Sequence, residues 1–135
     1  MNAMPLGPGK AREFRDRLSA RREVLLQEIG AALQAIGKGS AQDFASQVRD
    51  MSDTSLAAML TDMNLADMHR DIQELLDLDA ALARISAGTY GICTDCGDVI
   101  PMLRLNAYPT AKRCRPCQEA HEKWRDAARQ KISMF

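Results

Sequence analysis

The four cysteines of the chain limit its possible folds more than any other feature. Cys93 and Cys96 form one Cys-x2-Cys pair, and Cys114 and Cys117 form a second pair after a gap of 17 residues. This spacing is typical of a zinc site with four thiolate ligands, because a tight turn aims both sulfur atoms of a pair at one point. Four thiolates also leave no coordination position for water. The sequence therefore predicts one structural zinc ion rather than a catalytic one.

Two disulfides, or free thiols, are the alternatives to a zinc site. Residues 1–9 contain no apolar segment of signal-peptide length, and no run approaches the roughly 20 apolar residues that span a bilayer. We therefore expect a soluble cytoplasmic protein without membrane association, and disulfides are rare in that compartment. His121 follows the last cysteine closely, but four thiols already satisfy a zinc ion, so we interpret it as a structural or surface residue.

Two long stretches of the sequence have the apolar spacing of helices. The first begins near Lys10, and its apolar positions are Phe14, Leu18, Leu25, Ile29, Leu33 and Ile36. The second is predicted from Thr54 to Ala87, with apolar positions at Leu56, Leu60, Met63, Leu65, Met68, Ile72, Leu75, Leu78, Leu82 and Ile85. Glycines at positions 37 and 88 supply helix ends, and residues 42–49 have the pattern of a short helix between them.

Neither long helix can bury its apolar stripe alone, so the two are expected to pair as an antiparallel coiled coil. At ~1.5 Å per residue the arm is about 40 Å long. The predicted organisation is a disordered segment at 1–9, a helical hairpin at 10–87 with its tip near 37–55, and a zinc finger with a C-terminal helix at 88–135. A compact three-helix bundle and a dimer remain alternatives. The aromatic content of 4% favours the extended arm, and we expect a monomer.

Two elements of regular structure are expected in the region of the cysteines. Residues 98–103 are predicted to form a short β-hairpin arm, with Pro101 restricting it to an edge. A C-terminal helix is predicted from Gln118 to Ile132, with Trp124 packed against the base of the arm. The predicted fold class is therefore mainly α, a long antiparallel helical hairpin joined to a small four-cysteine zinc finger.

The charges balance over the whole chain but are separated along it. Eighteen basic and eighteen acidic residues give zero formal net charge, which argues against a protein that coats nucleic acid. Residues 54–87 carry six acids and two basic residues, whereas residues 103–135 carry eight basic residues and three acids. Such separation can orient a partner that bears both signs of charge.

The zinc region contains two extended motifs, G-T-Y-G-I-C-x-x-C-G from Gly88 to Gly97 and R-L-x-A-x-P-T-A-x-x-C-x-x-C from Arg104 to Cys117. These motifs resemble the DksA/TraR zinc-finger family of bacterial transcription factors, and a weaker similarity of layout extends over residues 10–135. The resemblance implies a protein that binds RNA polymerase directly, without sequence-specific DNA binding. It also implies that the coiled coil enters the secondary channel and brings an acidic tip towards the catalytic magnesium.

The resemblance also assigns the tip residues. DksA members of the family carry an Asp-x-x-Asp-x-Ala pattern there, and the same spacing from the first cysteine selects Asp50, Asp53 and Ser55 in this sequence. Asp50 and Asp53 are thus the candidate residues near the polymerase active site, with Ser55 at the alanine position. Asp53 also has an alternative interpretation, as the N-cap of the second helix.

The positions that hold the alarmone ppGpp in DksA members correspond, without gaps, to Arg70, Asp77, Tyr108 and Gln118. Only Arg70 keeps a positive charge, and an aspartate repels a pyrophosphate. Arg70 is therefore the one candidate for a polymerase or ppGpp interface, and ppGpp synergy is expected to be weak or absent.

Two other functions compete with this interpretation. A nucleic-acid-binding zinc finger would use Arg104, Lys112, Arg113 and Arg115, but no aromatic stacking set accompanies them. An enzyme is not expected, because the sequence offers no nucleophile with a paired base and no phosphate-binding glycine loop.

Overall fold

The computed structural model describes residues 6–37 and 39–133, and of residues 130–133 the backbone only. Its helices are α1 (Pro8–Ala35), α2 (Ala41–Val48), α3 (Asp53–Asp62), α4 (His69–Ala87), α5 (Met102–Ala107) and α6 (Arg115–Ser133), with a 3-10 turn at Ala66–Met68. The predicted mainly α fold class is confirmed. Within these residues no helix combines the length and the apolar character that crossing a membrane requires.

Helices α1 and α4 pack against each other in an antiparallel pair, as the apolar stripes predicted. Two ion pairs fix their register, because Arg21 contacts Glu74 and Arg22 contacts Asp79, each at 2.6 Å between nitrogen and oxygen. Apolar side chains from both helices are buried on the facing sides; they are Phe14, Leu18, Leu25, Ile29, Leu33, Ile72, Leu75, Leu78, Ala81 and Ile85. This pair is the stem of the molecule.

The second predicted helix is interrupted between α3 and α4. Asn64 has a φ of 62°, and it is the one residue other than glycine with a positive φ in the described part of the chain. The amide of Leu65 donates to the carbonyl of Leu60 at 2.6 Å, and the amide of Asn64 donates to Thr61 at 3.0 Å. This bonding pattern is a Schellman motif, which asparagine tolerates because it enters the left-handed region more readily than most residues.

The chain folds back after α1 instead of continuing outwards. Helix α2 begins beside Gly30, where an added Cβ atom would lie 3.6 Å from the Cβ of Ala41. At the other end of α2, a guanidinium nitrogen of Arg49 lies 3.9 Å from a carboxylate oxygen of Asp79, the partner of Arg22 in the stem. Helix α2 therefore runs antiparallel to α1 and covers the side of the stem.

The sequence predicted a distal tip near residues 37–55. The structure does not place these residues at the far end of the arm. Helix α3 begins at Asp53, whose carboxylate accepts a 2.8 Å hydrogen bond from Gln73 in the second turn of α4. The far end of the molecule is instead formed by the turns next to Gly37 and Asn64. The compact-bundle alternative thus describes this half of the arm better, because Phe44, Val48, Leu56 and Leu60 are all buried.

The zinc region contains an isolated β-bridge rather than the predicted β-hairpin. Ile92 and Val99 form this single antiparallel pairing, and in the described residues no strand extends it. Pro101 ends the pairing and precedes α5, because proline lacks an amide donor but has a φ that suits the start of a helix. Residues 102–103 are therefore helical.

Tyr90 connects the zinc region to the stem. It is fully buried, its ring centroid lies 5.5 Å from that of Phe14 in α1, and its hydroxyl donates a 2.8 Å hydrogen bond to the carbonyl of Pro109. Burial raises the pKa of Tyr90 to about 12. One side chain thus joins α1 to the loop that precedes the second cysteine pair.

We expect Tyr90→Phe to lower the free energy of unfolding by about 1 kcal/mol, because the aromatic packing remains but the carbonyl of Pro109 loses its donor. Chemical denaturation of the zinc-loaded protein measures this change. Tyr108→Phe is the matched control, because Tyr108 is 64% exposed. Equal stability of the Tyr90 variant and the wild type would show that the hydrogen bond contributes nothing.

The two ends of the chain differ from prediction. Trp124 does not pack against the base of the arm: it is 69% exposed, and its ring lies beside that of His121 with centroids 6.4 Å apart. At the N-terminus, α1 begins at Pro8 and Leu6 is buried, so the predicted disordered segment at 1–9 does not extend that far. Residues 1–5 lie outside the described residues.

Candidate metal centre and acidic segment

The four cysteines lie together in one cluster. Their sulfur atoms all lie within 4.8 Å of one another, and the sulfur atoms of Cys96 and Cys114, one from each pair, are 3.7 Å apart. Four sulfurs placed tetrahedrally at ~2.3 Å from one zinc ion are about 3.8 Å apart. The cluster therefore fits a single shared ion, as the spacing predicted.

The first cysteine pair is held in a tight turn by its own backbone. The amide of Gly97 donates to the carbonyl of Cys93 at 3.0 Å, and the amide of Cys93 donates to Asp98 at 2.8 Å. Gly97 has a φ of 79°, a conformation that glycine adopts without a steric penalty. The turn explains why a two-residue gap and a following glycine suit this position.

The second pair sits at the start of α6 and is tied to the first by main-chain and side-chain bonds. The amide of Thr94 donates to the carbonyl of Lys112 at 2.9 Å. Arg113 contacts Asp95 at 2.9 Å, and Arg104 donates to the carbonyl of Arg113 at 3.0 Å. These contacts hold the two halves together outside the thiols, and they give Arg104 and Arg113 a structural role.

The chemistry of the thiols also favours a cation. The side-chain contact with Cys114 raises the pKa of the Cys117 thiol above its usual value, since neighbouring thiols resist ionising together. A zinc ion removes that repulsion by binding all four as thiolates. The disulfide alternative is not supported, because all four cysteines are free. The four-cysteine cluster is thus the site of one structural zinc ion.

The candidate tip residues lie at the turn between α2 and α3, in residues 50–55, which we call the acidic segment. Asp50 is exposed in the linker that precedes α3. The N-cap of α3 is Ser52, whose hydroxyl accepts from the amide of Ser55 at 3.1 Å. Asp53 occupies the first helical position, so it is not the N-cap. Its carboxylate is free of the capping role and accepts instead from Gln73.

Ser55 has a local role that the sequence did not reveal. Its hydroxyl lies 3.0 Å from that of Ser52, in addition to the bond that its amide donates. The Ser52 hydroxyl therefore accepts from the amide of Ser55 and donates to its hydroxyl, so both bonds join the N-cap to the third helical position. The hydroxyl that replaces the family's alanine at this position thus holds the side chain of the N-cap.

A cavity of about 540 Å³ separates the acidic segment from the zinc region. Its basic lining residues are Arg104, Lys112, Arg113 and Arg125, and its acidic lining residues are Asp53, Asp77 and Glu122. Nothing in the sequence indicated that Asp53 faces this basic group, because the two are far apart in the chain and meet only when the arm is folded back.

Three of the four positions assigned to ppGpp by resemblance come together. Asp77, Tyr108 and Gln118 line the cavity, whereas Arg70 is exposed near the start of α4 and is not among the lining residues. The one position that keeps a positive charge is therefore separated from the other three in this structure.

Comparison with known proteins gives a consistent result. Residues 88–123 match the family model of the prokaryotic dksA/traR C4-type zinc finger. The chain is 33% identical over 110 residues to the RNA polymerase-binding transcription factor DksA of Caulobacter vibrioides. The aligned region covers 82% of this chain and 74% of that protein. It is 45% identical over 53 residues to an uncharacterized protein of Aquifex aeolicus, covering 39% of this chain and 37% of that protein. The structure of the transcription factor DksA2 from Pseudomonas aeruginosa superposes with a TM-score of 0.62 and 26% identity, over 93% of each chain.

Proposed function

Because the chain belongs to the DksA/TraR family of bacterial transcription factors, we propose that it regulates transcription by binding RNA polymerase directly. It acts as a binding protein rather than an enzyme, in the cytoplasm and as a monomer. The zinc site has a structural role, since four thiolates close the coordination sphere. The observation that carries this proposal is the similarity over most of the chain to a relative named as RNA polymerase-binding.

In the proposed mechanism the helical arm enters the secondary channel of the polymerase. When α2 and α3 extend away from the stem, Asp50 lies at the leading end of the arm, with Asp53 and Ser55 on the first turn of the following helix. A carboxylate near the catalytic magnesium alters the field in which nucleotide addition and open-complex formation occur. Asp50 suits this role because it is exposed and is not the N-cap of α3.

The zinc region forms the base that stays outside the channel. Its basic side chains contact acidic surface around the channel entrance, and this opposite-sign contact favours rapid association. Lys112 and Arg115 are exposed, whereas Arg104 and Arg113 are occupied in bonds that hold the base together. That occupation also weakens the alternative function, a nucleic-acid-binding zinc finger.

A pull-down with core RNA polymerase tests the proposal. We expect stoichiometric binding of the zinc-loaded protein, with little change when double-stranded DNA is added as a competitor. A gel shift with DNA at low and moderate salt is the counterpart, since phosphate-driven binding falls steeply with salt. DNA binding without polymerase binding would favour the zinc-finger alternative.

We expect ppGpp to add little to the effect of this protein on transcription. By the resemblance, Asp77 stands at a position where DksA members carry a basic residue, and its carboxylate repels a pyrophosphate. Arg70, the one equivalent position that keeps a positive charge, is not among the residues that line the cavity. In vitro transcription with and without ppGpp measures the change, with a DksA member of the family as the positive control. An equal increase in inhibition for both proteins would contradict the expectation.

A further inference from the structure

The arm bends at two turns that lie at the same end of the stem. The first turn comprises residues 36–37 and 39–40, in which Gly37 and Gly39 have φ values of 70° and 90°. The second comprises residues 63–68, in which Asn64 has a φ of 62°. Between them lie residues 41–62, which we call the folded half: α2, α3 and the linker that carries Asp50. Both turns depend on a left-handed backbone that a continuous helix excludes.

The apolar pattern of the sequence suits an extended helical arm as well as the arm that is folded back along the stem. Leu60, Met68 and Ile72 are spaced by eight and four residues, which keeps them on one helical face across the second turn. The apolar side chains of α2 and α3 are buried against the stem in this structure. In an extended hairpin the same side chains would pack between α2 and α3. Two arrangements of one apolar pattern are thus available to this chain.

The polar contacts that close the folded half are few. Asp53 accepts its bond from Gln73 in an exposed position, and Arg49 is 3.9 Å from Asp79, which is too long for a hydrogen bond. The Nε2 atom of His69, next to the second turn, and the Asp79 carboxylate oxygen that faces Arg49 are buried without a hydrogen-bond partner. Buried polar atoms without partners favour an arrangement in which water reaches them.

We propose that the arm is jointed, and that the folded half swings away from the stem about these two turns to form the extended arm that enters the polymerase. In the folded state Asp53 faces the basic cavity of the zinc region, and Asp50 lies in the adjoining linker, so the acidic segment is withdrawn. The position of the folded half against the stem is thus autoinhibitory. The functional part of this inference rests on the proposed function, whereas the joint itself is a property of the free protein.

A disulfide between Gly30→Cys and Ala41→Cys tests the folded state. A Cβ atom added at Gly30 lies 3.6 Å from the Cβ of Ala41, a separation that suits a disulfide, whereas two residues eleven apart in one continuous helix are about 16 Å apart. We expect this pair to cross-link in the zinc-loaded protein under mild oxidation, with peptide mapping to identify the bond and a zinc assay to confirm that the metal is retained. Ala31→Cys with Ala41→Cys is the control pair, because Ala31 is exposed.

The effect of locking is measured by in vitro transcription before and after reduction of the disulfide. We expect the locked protein to lose about tenfold or more of its effect, because the binding-competent population falls, and to regain it on reduction. A locked protein as active as the reduced one would overturn the autoinhibitory role. If the wild type itself has no effect on polymerase, the proposed function fails, and the next measurement still decides the joint.

X-ray scattering of the free protein tests the joint without polymerase. Gly37→Ala, Gly39→Ala and Asn64→Ala, combined, disfavour both turns, because alanine avoids positive φ. A continuous helix from residue 8 to residue 48 is about 60 Å long, against about 42 Å for α1, so we expect a larger maximum dimension. Gly9→Ala, which meets open space inside α1, is the control. A triple variant that stays folded with the dimensions of the wild type would overturn the proposal, as would absence of the cross-link.

Discussion

Replacing Cys114 with serine is expected to abolish zinc binding and to unfold the region from residue 88 onwards while most of the stem stays helical. Structural zinc ions contribute on the order of 10 kcal/mol to the folding of small domains, and this region has few other sources of stability. Its fully buried large side chains are Tyr90, Ile100 and Leu105. Serine cannot replace a thiolate as a zinc ligand, so the remaining three cysteines bind the ion much more weakly.

The stem should survive this change because its core is separate from the metal centre. Helices α1 and α4 bury their own stripes against each other, and the side chains of Leu25, Leu33, Ile72 and Leu75 are at most 1% exposed. The end of the stem near Phe14 is the exception, because it packs on Tyr90. We expect local fraying there.

Zinc content and circular dichroism measure the outcome together. The wild type should hold one zinc ion per chain, the Cys114→Ser protein none, and the helical signal should fall by no more than the contribution of α5 and α6. Thr94→Ser, an exposed substitution between two ligands, is the control. Collapse of the whole helical signal would show that the stem depends on the metal, and retained zinc would show that the ligand set is different.

The second large effect is expected from Asp50→Asn, which should spare polymerase binding but reduce the effect on transcription by about tenfold or more. Asparagine has almost the same shape as aspartate, so the linker keeps its geometry. It carries no charge, however, and charge is what a group near a magnesium ion contributes. A loss of about tenfold corresponds to about 1.4 kcal/mol in the affected step.

Asp62→Asn is the matched control for Asp50. Asp62 is also exposed, but it ends α3 next to the second turn, away from the acidic segment. Asp53→Asn is a less clean test, because Asp53 also accepts a bond from Gln73 and the substitution weakens the folded state. Undiminished activity of Asp50→Asn would remove this residue from the mechanism.

The local features of the chain were predictable from sequence, because each depends on neighbouring residues. The cysteine spacing predicted the ligand set, and apolar stripes predicted the antiparallel stem. Glycine at position 88 predicted the end of α4, where its φ of 77° completes the cap. Residues 42–49 were also predicted as a short helix, and α2 lies there.

The return of α2 and α3 along the stem was not predictable in the same way. The apolar positions from Leu56 to Met68 suit a continuous helix and an interrupted one equally, and the decision falls to the Schellman motif at Asn64. The N-cap of α3 was equally open, because Ser52, Asp53 and Thr54 all cap helices well. Composition carries no information on which of three adjacent candidates the tertiary structure selects.

The direction of Trp124 illustrates a different limit. A tryptophan on an amphipathic helix usually packs against a neighbour, but α6 leaves the zinc region without a helical partner for this face among the described residues. The β-hairpin expected at 98–103 failed for a local reason, since Pro101 suits the start of α5 better than an edge strand.

Competition for core RNA polymerase tests the central claim most directly. The zinc-loaded protein, labelled on an exposed residue of α6, is bound to core polymerase, and an unrelated protein known to occupy the secondary channel is added in increasing amounts. We predict full displacement, with a midpoint that scales with the concentration of the labelled protein. A ternary complex in which both proteins remain bound would contradict the account, because two arms cannot occupy one channel.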